Sequence, residues 1–179
     1  IDHIPGAKVI QKGDFVGVVA EREWDAVKAA RDLKVVWREG PDLGSNASVY
    51  ERMRKDKTVD TVIANKGDPA GMMQKAAFVR GSTYFCPYQS HAPFAPNCAL
   101  ADPTGDQLVI RSSVQDVYSS RKQVYDILGI PVEKIRMQYF EGSGTFGRSC
   151  YEDATQASAI MATATGKPVR VQYMRWDEL

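Results

Sequence analysis

The chain has 179 residues, with 25% charged, 44% hydrophobic and a formal net charge of +1. That is ordinary composition for a globular domain, with enough chain for one sizeable core or for the end of one domain and the start of another. The 23 Lys and Arg residues are spread along the sequence, so no electrostatic footprint for nucleic acid or an anionic membrane surface is present.

No apolar run approaches the roughly 20 residues needed to span a bilayer. Three cysteines (Cys86, Cys98 and Cys150), with no C-x-x-C pair and only two histidines, argue against a disulfide framework or a zinc site. The opening at Ile1-Asp2-His3, without an initiator Met, suggests a segment of a longer polypeptide. Localisation stays open, because a targeting signal would lie on flanks outside this sequence.

Phe15–Ala20 is expected to be a buried strand, and Glu21–Leu33 a helix with Trp24, Val27, Ala30 and Arg31 on one stripe. Lys34–Trp37 then reads as a strand, closing a β–α–β unit. Residues 39–44, rich in Gly, Pro and Asp, form a linker, and Ser45 or Asn46 caps a short helix ending near Lys55. Thr58–Ala64 and Ala77–Cys86 read as strands around a helix over Asp68–Lys75, where Asp68 is the N-cap and Pro69 the first helical residue.

Pro87, Pro93 and Pro96 exclude a central strand and mark an ordered surface or cleft loop. Asn97–Ala101 and Gln107–Ser113 form a hairpin across the turn at 102–106. Tyr118–Leu128 is a helix stopped at Gly129, and Arg136–Phe140 a strand. Cys150–Ala164 is an alanine-rich helix whose Ala154, Ala157, Met161 and Ala164 allow close packing; Pro168–Met174 is the last strand, with a fresh helix start at Trp176. The fold class is α+β.

Between the strand at 136–140 and the following helix lies Gly142-Ser143-Gly144-Thr145-Phe146-Gly147. Such a loop brings main chain close to a bulky ligand and offers unpaired N–H groups at a helix N-terminus, suiting an anionic or electron-rich partner. Three readings compete. The spacing satisfies G-x-G-x-x-G, the dinucleotide-fold signature. Against it stand an alternating rather than uniformly apolar strand, the acids Glu152 and Asp153 in the first helical turn, and no acid near the ~20-residue spacing used for ribose. A second reading is a turn that only lets the helix pack on the sheet.

The third rests on resemblance. Glu-Gly-Ser-Gly-Thr-Phe-Gly-Arg (141–148), Tyr-Glu-Asp-Ala (151–154) and Gly-Lys-Pro-Val-Arg-Val-Gln (166–172) resemble the molybdenum-cofactor-binding subunit of the xanthine dehydrogenase and aldehyde oxidase family. The branch most similar includes nicotinate and isoquinoline dehydrogenases and membrane-associated bacterial aldehyde dehydrogenases. Gly13–Val16 through Trp37 is similar to the end of the family's hammerhead domain, Pro87–Ala92 to its Y-Q-x-H-A element, and Val114-Gln115 to its T-Q pair, with Leu128-Gly129 after it.

The resemblance implies an α+β segment: residues 1–40 the C-terminal part of an α/β hammerhead domain, 41–57 a linker with a short helix, and 58–179 the first part of the molybdenum-cofactor-binding domain, with mixed sheets and packed helices. It implies hydroxylation of an aldehyde or aromatic N-heterocycle with water as the oxygen source. The expected cofactor is molybdenum–pterin in its cytosine dinucleotide form, and electrons pass to iron–sulfur clusters on a partner subunit or domain. Implied partners are the rest of the same subunit, a small iron–sulfur subunit, and a cytochrome c or flavin subunit; the branch points to the bacterial periplasm or membrane ahead of the cytoplasm. Gln115 corresponds to a glutamine that donates to a molybdenum oxo ligand, its alternative being a solvated loop residue. Gly142, Ser143, Gly144, Thr145, Phe146, Gly147 and Arg148 correspond to the cofactor loop; Arg148 has two possible partners, a cofactor phosphate and Glu152, and both stay open.

His91, Phe94, Ala95 and Cys150 are the expected substrate-pocket residues, with a structural hydrogen bond as the alternative for His91. Thr145 stands where many relatives have glycine, and Ala95 replaces a glutamate of other branches. Cys150 stands where purine oxidisers place a glutamate, so purine oxidation is not supported. No protein side chain is expected to ligate the metal directly. The family's activating glutamate lies far C-terminal to this region, so no carboxylate here takes that role and the segment alone is expected to be inactive. Capping and helix-dipole compensation account for Glu152 and Asp153. A noncatalytic interaction or assembly domain of the same fold is the alternative from another class.

Overall fold

A computed structural model of the chain describes residues 1–42, 44–151 and 153–178. Leu43 of the expected linker, Glu152 and Leu179 therefore lie outside the description. The chain divides into two compact units, residues 1–34 with 88–179, and residues 35–87.

The larger unit begins with a hairpin, β1 (Lys8–Lys12) and β2 (Phe15–Val19), paired antiparallel, followed by α1 (Glu23–Asp32). The β2 residues are half-buried rather than buried. The inward residue of α1 is Ala29, not Ala30; Trp24 is turned outward and Arg31 lies over its ring.

The main sheet is four-stranded in the order β5-β4-β3-β6, formed by β3 (Cys98–Asp102), β4 (Leu108–Ser112), β5 (Ile135–Tyr139) and β6 (Val169–Gln172). β3 runs antiparallel to β4 and to β6, whereas β4 and β5 are parallel. The parallel pair is joined through α4 (Val117–Leu128), as a parallel connection requires. Asp116 caps α4 by accepting from Ser119 N at 3.0 Å, and the helix stops at Gly129, whose φ is 68°. α5 (Asp153–Thr165) packs on the sheet and on α4.

Apolar side chains from both layers meet between them: Leu108, Ile110 and Ile135 from the sheet side, Val124 from α4, Ala159 and Ala162 from α5. Each large aliphatic group buried there stabilises by about 1.5–3 kcal/mol relative to exposure. The close packing expected of α5 is present, with a wider buried surface than one stripe: Thr155 and Ser158 are buried beside Ala154 and Met161, while Ala164 is exposed. Thr155 can be this deep because its hydroxyl meets that of Ser112 on β4 at 2.9 Å.

In the smaller unit, α2 (Val49–Lys55) follows a 3-10 turn at Asn46–Ser48; Ser45, at the N-cap of that turn, makes no side-chain cap bond, and Asn46 lies inside the turn instead of capping it. α3 (Pro69–Lys75) starts as expected, with Asp68 accepting from Gly71 N at 2.9 Å. Tyr50 reaches Phe85 edge-on at 5.2 Å and donates its hydroxyl to Cys86 O. Thr58–Ala64 and Ala77–Cys86 are not strands, and neither is Lys34–Trp37. Their β-branched and aromatic residues satisfy the side-chain half of the strand signal, but no partner in the described residues accepts their main-chain hydrogen bonds. Val59, Ile63 and Val36 stay exposed accordingly.

Candidate functional site

The register of the sheet gathers several loops at one end. Ser112 and Tyr139, facing each other on β4 and β5, both lead out at the carboxyl ends of the parallel strands. Ala99 pairs with Ser112, and Cys98 with Gln172, so the loop entering β3 and the segment leaving β6 emerge at the same end. Residues 88–97, 113–116, 140–151 and 173–178 are thereby neighbours, although they are scattered in sequence.

Gly142 is pressed against β4's exit, where an added Cβ would meet Ser113 Cβ at 2.8 Å. Ser143 Oγ accepts from Ala95 N at 2.9 Å, tying the glycine loop to the proline-rich loop. Gly147 lies against His91, whose ring Cδ2 would be 3.3 Å from an added Cβ. No hydrogen bond of the His91 ring is found among the described residues, and the ring lies against the loop at Gly147. Arg175 reinforces the proline-rich segment by donating to Pro93 O and, at 2.6 Å, to Phe94 O. Phe94 contributes that carbonyl; its ring is exposed.

Gln115 is held on three sides. Its N–H donates to Ser149 O at 3.1 Å, its Oε1 accepts from the Cys150 thiol at 3.7 Å, and the next residue, Asp116, is the α4 cap. The Ser119 hydroxyl, and after it the Ser119 N–H, hold the Asp116 carboxyl below the usual carboxylate range. Gln115 itself is exposed, and its Nε2 has no acceptor among the described residues.

Phe146 (φ 51°) and Ala92 (φ 42°) are the non-glycine residues with positive φ among those described, and both sit in these facing loops. Such strain survives only where its surroundings hold it, and it concentrates at ligand sites. The N–H groups of residues 142–147 find no acceptor among the described residues, and space beside Gly144 is open. Thr145 uses its carbonyl instead, accepting from Arg148 N at 2.9 Å. A row of such donors ahead of a helix suits an anionic or electron-rich group.

Arg148 forms an ion pair with Asp153 at 3.0 Å. Of the two partners its sequence offered, Glu152 lies outside the described residues. Among those described, no group of three or more His, Cys, Asp or Glu is arranged to hold a metal ion. Sequence reasoning missed Asn97, Ser113, Ser149 and Glu178. Asn97, Ser149 and Glu178 are buried and polar. Small buried polar residues carry no periodic signal; only the position of Ser149, directly behind the loop, pointed there.

The dinucleotide spacing does not correspond to a dinucleotide fold. There the strand after the helix returns beside the first strand; here β6 lies at the opposite sheet edge, paired antiparallel with β3. A cleft lined by Gly105, Gln107, Glu133 and Lys134 occurs at the other ends of β4 and β5, away from the glycine loop.

Comparison with known proteins identifies the fold and the family. A nicotinate dehydrogenase subunit of Pseudomonas putida is 36% identical over 99% of this chain, which covers 15% of that protein. Quinoline 2-oxidoreductase from Pseudomonas putida 86 superposes over 94% of the chain and 24% of its own, with TM-score 0.70 and 21% identity. Aldehyde oxidoreductase from Desulfovibrio gigas does so over 87% and 18%, with TM-score 0.72 and 23% identity. These two similarities show a shared fold. The family model of the molybdopterin cofactor-binding domain matches residues 53–179, so this α+β chain belongs to that family, among the molybdenum-cofactor oxidoreductases related to xanthine dehydrogenase.

Proposed function

We propose that the chain forms part of the cofactor wall of a molybdenum hydroxylase acting on an aldehyde or aromatic N-heterocycle. Water supplies the oxygen in this reading, and electrons leave toward iron–sulfur clusters. The observation that carries it is the run of N–H groups over residues 142–147 that find no acceptor among the described residues, on the same end of the sheet as the exposed amide of Gln115. When bound, the molybdenum–pterin group supplies the oxidation chemistry; the protein contributes orientation and hydrogen bonds.

The residues present fit such a group. Gly142, Ser143, Gly144, Thr145, Phe146 and Gly147 bring bare main chain to its edge, and their donors stabilise negative charge much as an oxyanion hole does. Gln115 donates from Nε2 without adding a charge. Arg148 retains a second use, on a cofactor phosphate, if it exchanges its surface ion pair with Asp153, a contact of low worth in water. His91, Phe94, Ala95 and Cys150 border the substrate in this reading, leaving a less polar pocket than a carboxylate at those positions would.

The N-heterocycle named in the Pseudomonas putida relative supports that substrate class, and the aldehyde alternative is supported by a 29% identical aldehyde oxidoreductase subunit of Escherichia coli. Residues 1–40 are proposed as the tail of a hammerhead domain, 41–57 as a linker, and 58–179 as the start of the cofactor domain; the family match from residue 53 supports the last. The names of the relatives, as subunits, support a multi-subunit assembly, here with a small iron–sulfur subunit and a cytochrome c or flavin subunit. The cytosine dinucleotide form of the pterin and a periplasmic location belong to the same proposal. Metal quantitation on the intact native complex tests the core of it: about one molybdenum per copy of this chain is expected. A complex devoid of molybdenum overturns the proposal in favour of a noncatalytic assembly domain.

A further inference from the structure

Behind the glycine loop lies a line of buried polar residues that cofactor donation does not use. Ser149 is 0% exposed, Asn97 3% and Glu178 7%. Ser149 Oγ donates to Asn97 Oδ1 at 2.9 Å, and Asn97 N donates to Glu178 Oε1 at 2.8 Å. Asn97 O in turn accepts from Tyr173 N at 3.0 Å. At the opposite end of the line, Ser149 O receives the N–H of Gln115, and the adjoining Cys150 thiol reaches Gln115 Oε1.

The line is not built as a pure fold-holding device. Asn97 Nδ2 and Glu178 Oε2 are buried with no partner among the described residues. A hydroxyl, an amide and a carboxylate placed in a dry interior are costly, and costlier with valences left over. Apolar side chains of the same volume would hold the strand ends together without that penalty. What the polar line does, and an apolar one would not, is fix the direction of one particular hydrogen bond. Ser149 is constrained by its side chain, so its carbonyl is aimed, and that carbonyl anchors the Gln115 main chain. The thiol of the next residue then engages the oxygen of the Gln115 amide, which leaves the Nε2 hydrogens for a ligand.

We propose that Ser149 and Asn97, backed by Glu178, are positioning residues that set the orientation of Gln115 toward a ligand held by the glycine loop. This rests on the molybdenum–pterin reading and deepens it. The role is an alignment carried through two hydrogen bonds, so removing the Ser149 hydroxyl should change the electronic environment of the bound group more than its presence.

The test uses the intact native complex with Ser149→Ala and the equal-volume pair Ser149→Thr and Ser149→Val. In the Ala and Val variants, molybdenum content is expected to stay near native, the Mo(V) paramagnetic signal to shift, and kcat to fall about tenfold with KM little changed. Ser149→Thr, which keeps the hydroxyl, is expected to restore the native signal. Hydrogen exchange at the Gln115 amide should be faster in the Val than in the Thr variant, and this readout serves even where a variant loads metal poorly. An unchanged Mo(V) signal and kcat in the Ala and Val variants, with only a lowered Tm, overturns the positioning role while leaving the cofactor reading intact. Equal exchange at Gln115 in the Thr and Val variants does the same. A native complex without molybdenum removes the cofactor reading as well.

Discussion

At Gly147 the chain turns with φ of 97°, and an added Cβ would stand 3.3 Å from the His91 ring. Gly144, with φ of 86°, has open space where a Cβ would go. The two positions therefore separate strain from packing. Alanine at either one forces an L residue into a region it avoids, at about 1–3 kcal/mol. Only at Gly147 must a neighbour also give way. Gly147→Ala is expected to lower Tm more than Gly144→Ala and to reduce metal retention in the native complex, because His91 is pushed off the loop. Equal Tm losses would show that the His91 contact carries no weight. The loop and the proline-rich segment are legible in the sequence, since glycine spacing and proline clusters are properties of residue type; Gln115 is singled out only by resemblance to the family's motif. The Asn97–Ser149–Glu178 line is not: its members span more than 80 positions of sequence, and only the strand register makes them neighbours.

α4 is fixed at the end that faces the site. α4 begins directly after Gln115, and the Asp116 carboxylate accepts both the N–H and the hydroxyl of Ser119. Because those bonds hold its carboxyl below the ordinary range, the unfolded chain takes up the proton first as acid is added. The ionised cap's contribution is complete above the ordinary aspartate value near pH ~4, and is lost as pH falls through the lower folded value. Asparagine also caps but does not titrate. The Tm advantage of the native chain over Asp116→Asn should thus persist near neutrality and close below about pH 4; a gap that is constant through that range would contradict the assigned role. The hairpin of β3 and β4, α4 with its glycine stop, and α5 are all readable from sequence, because caps, turns and periodicity are local. The strands expected at 58–64 and 77–86 do not form, since β-branched and aromatic content records only which side chains suit a sheet. Pairing needs a second strand, and none is available to them among the described residues.

At the scale of the molecule, the chain spans 13–23% of the curated relatives' lengths, and in the proposed reading its glycine loop, Gln115 and proline-rich segment form one wall of the cofactor pocket. Exposure at that wall decides what it does alone. Phe146 is 71% exposed, and the Gln115 amide and the loop donors face solvent. Hydrogen-bond donors open to water gain little over water's own, whereas the same donors in a closed, low-dielectric pocket act on developing charge at full strength. Redox chemistry adds a second demand, a route for electrons, which the proposal assigns to clusters outside these residues. The purified 179-residue chain is therefore expected to fold around its sheet and two helices yet show no turnover of aldehydes or N-heterocycles, even when supplied with molybdenum–pterin and an artificial electron acceptor. Steady-state oxidation by that chain alone would mean that the open wall suffices, and would require a base and an electron path within these residues.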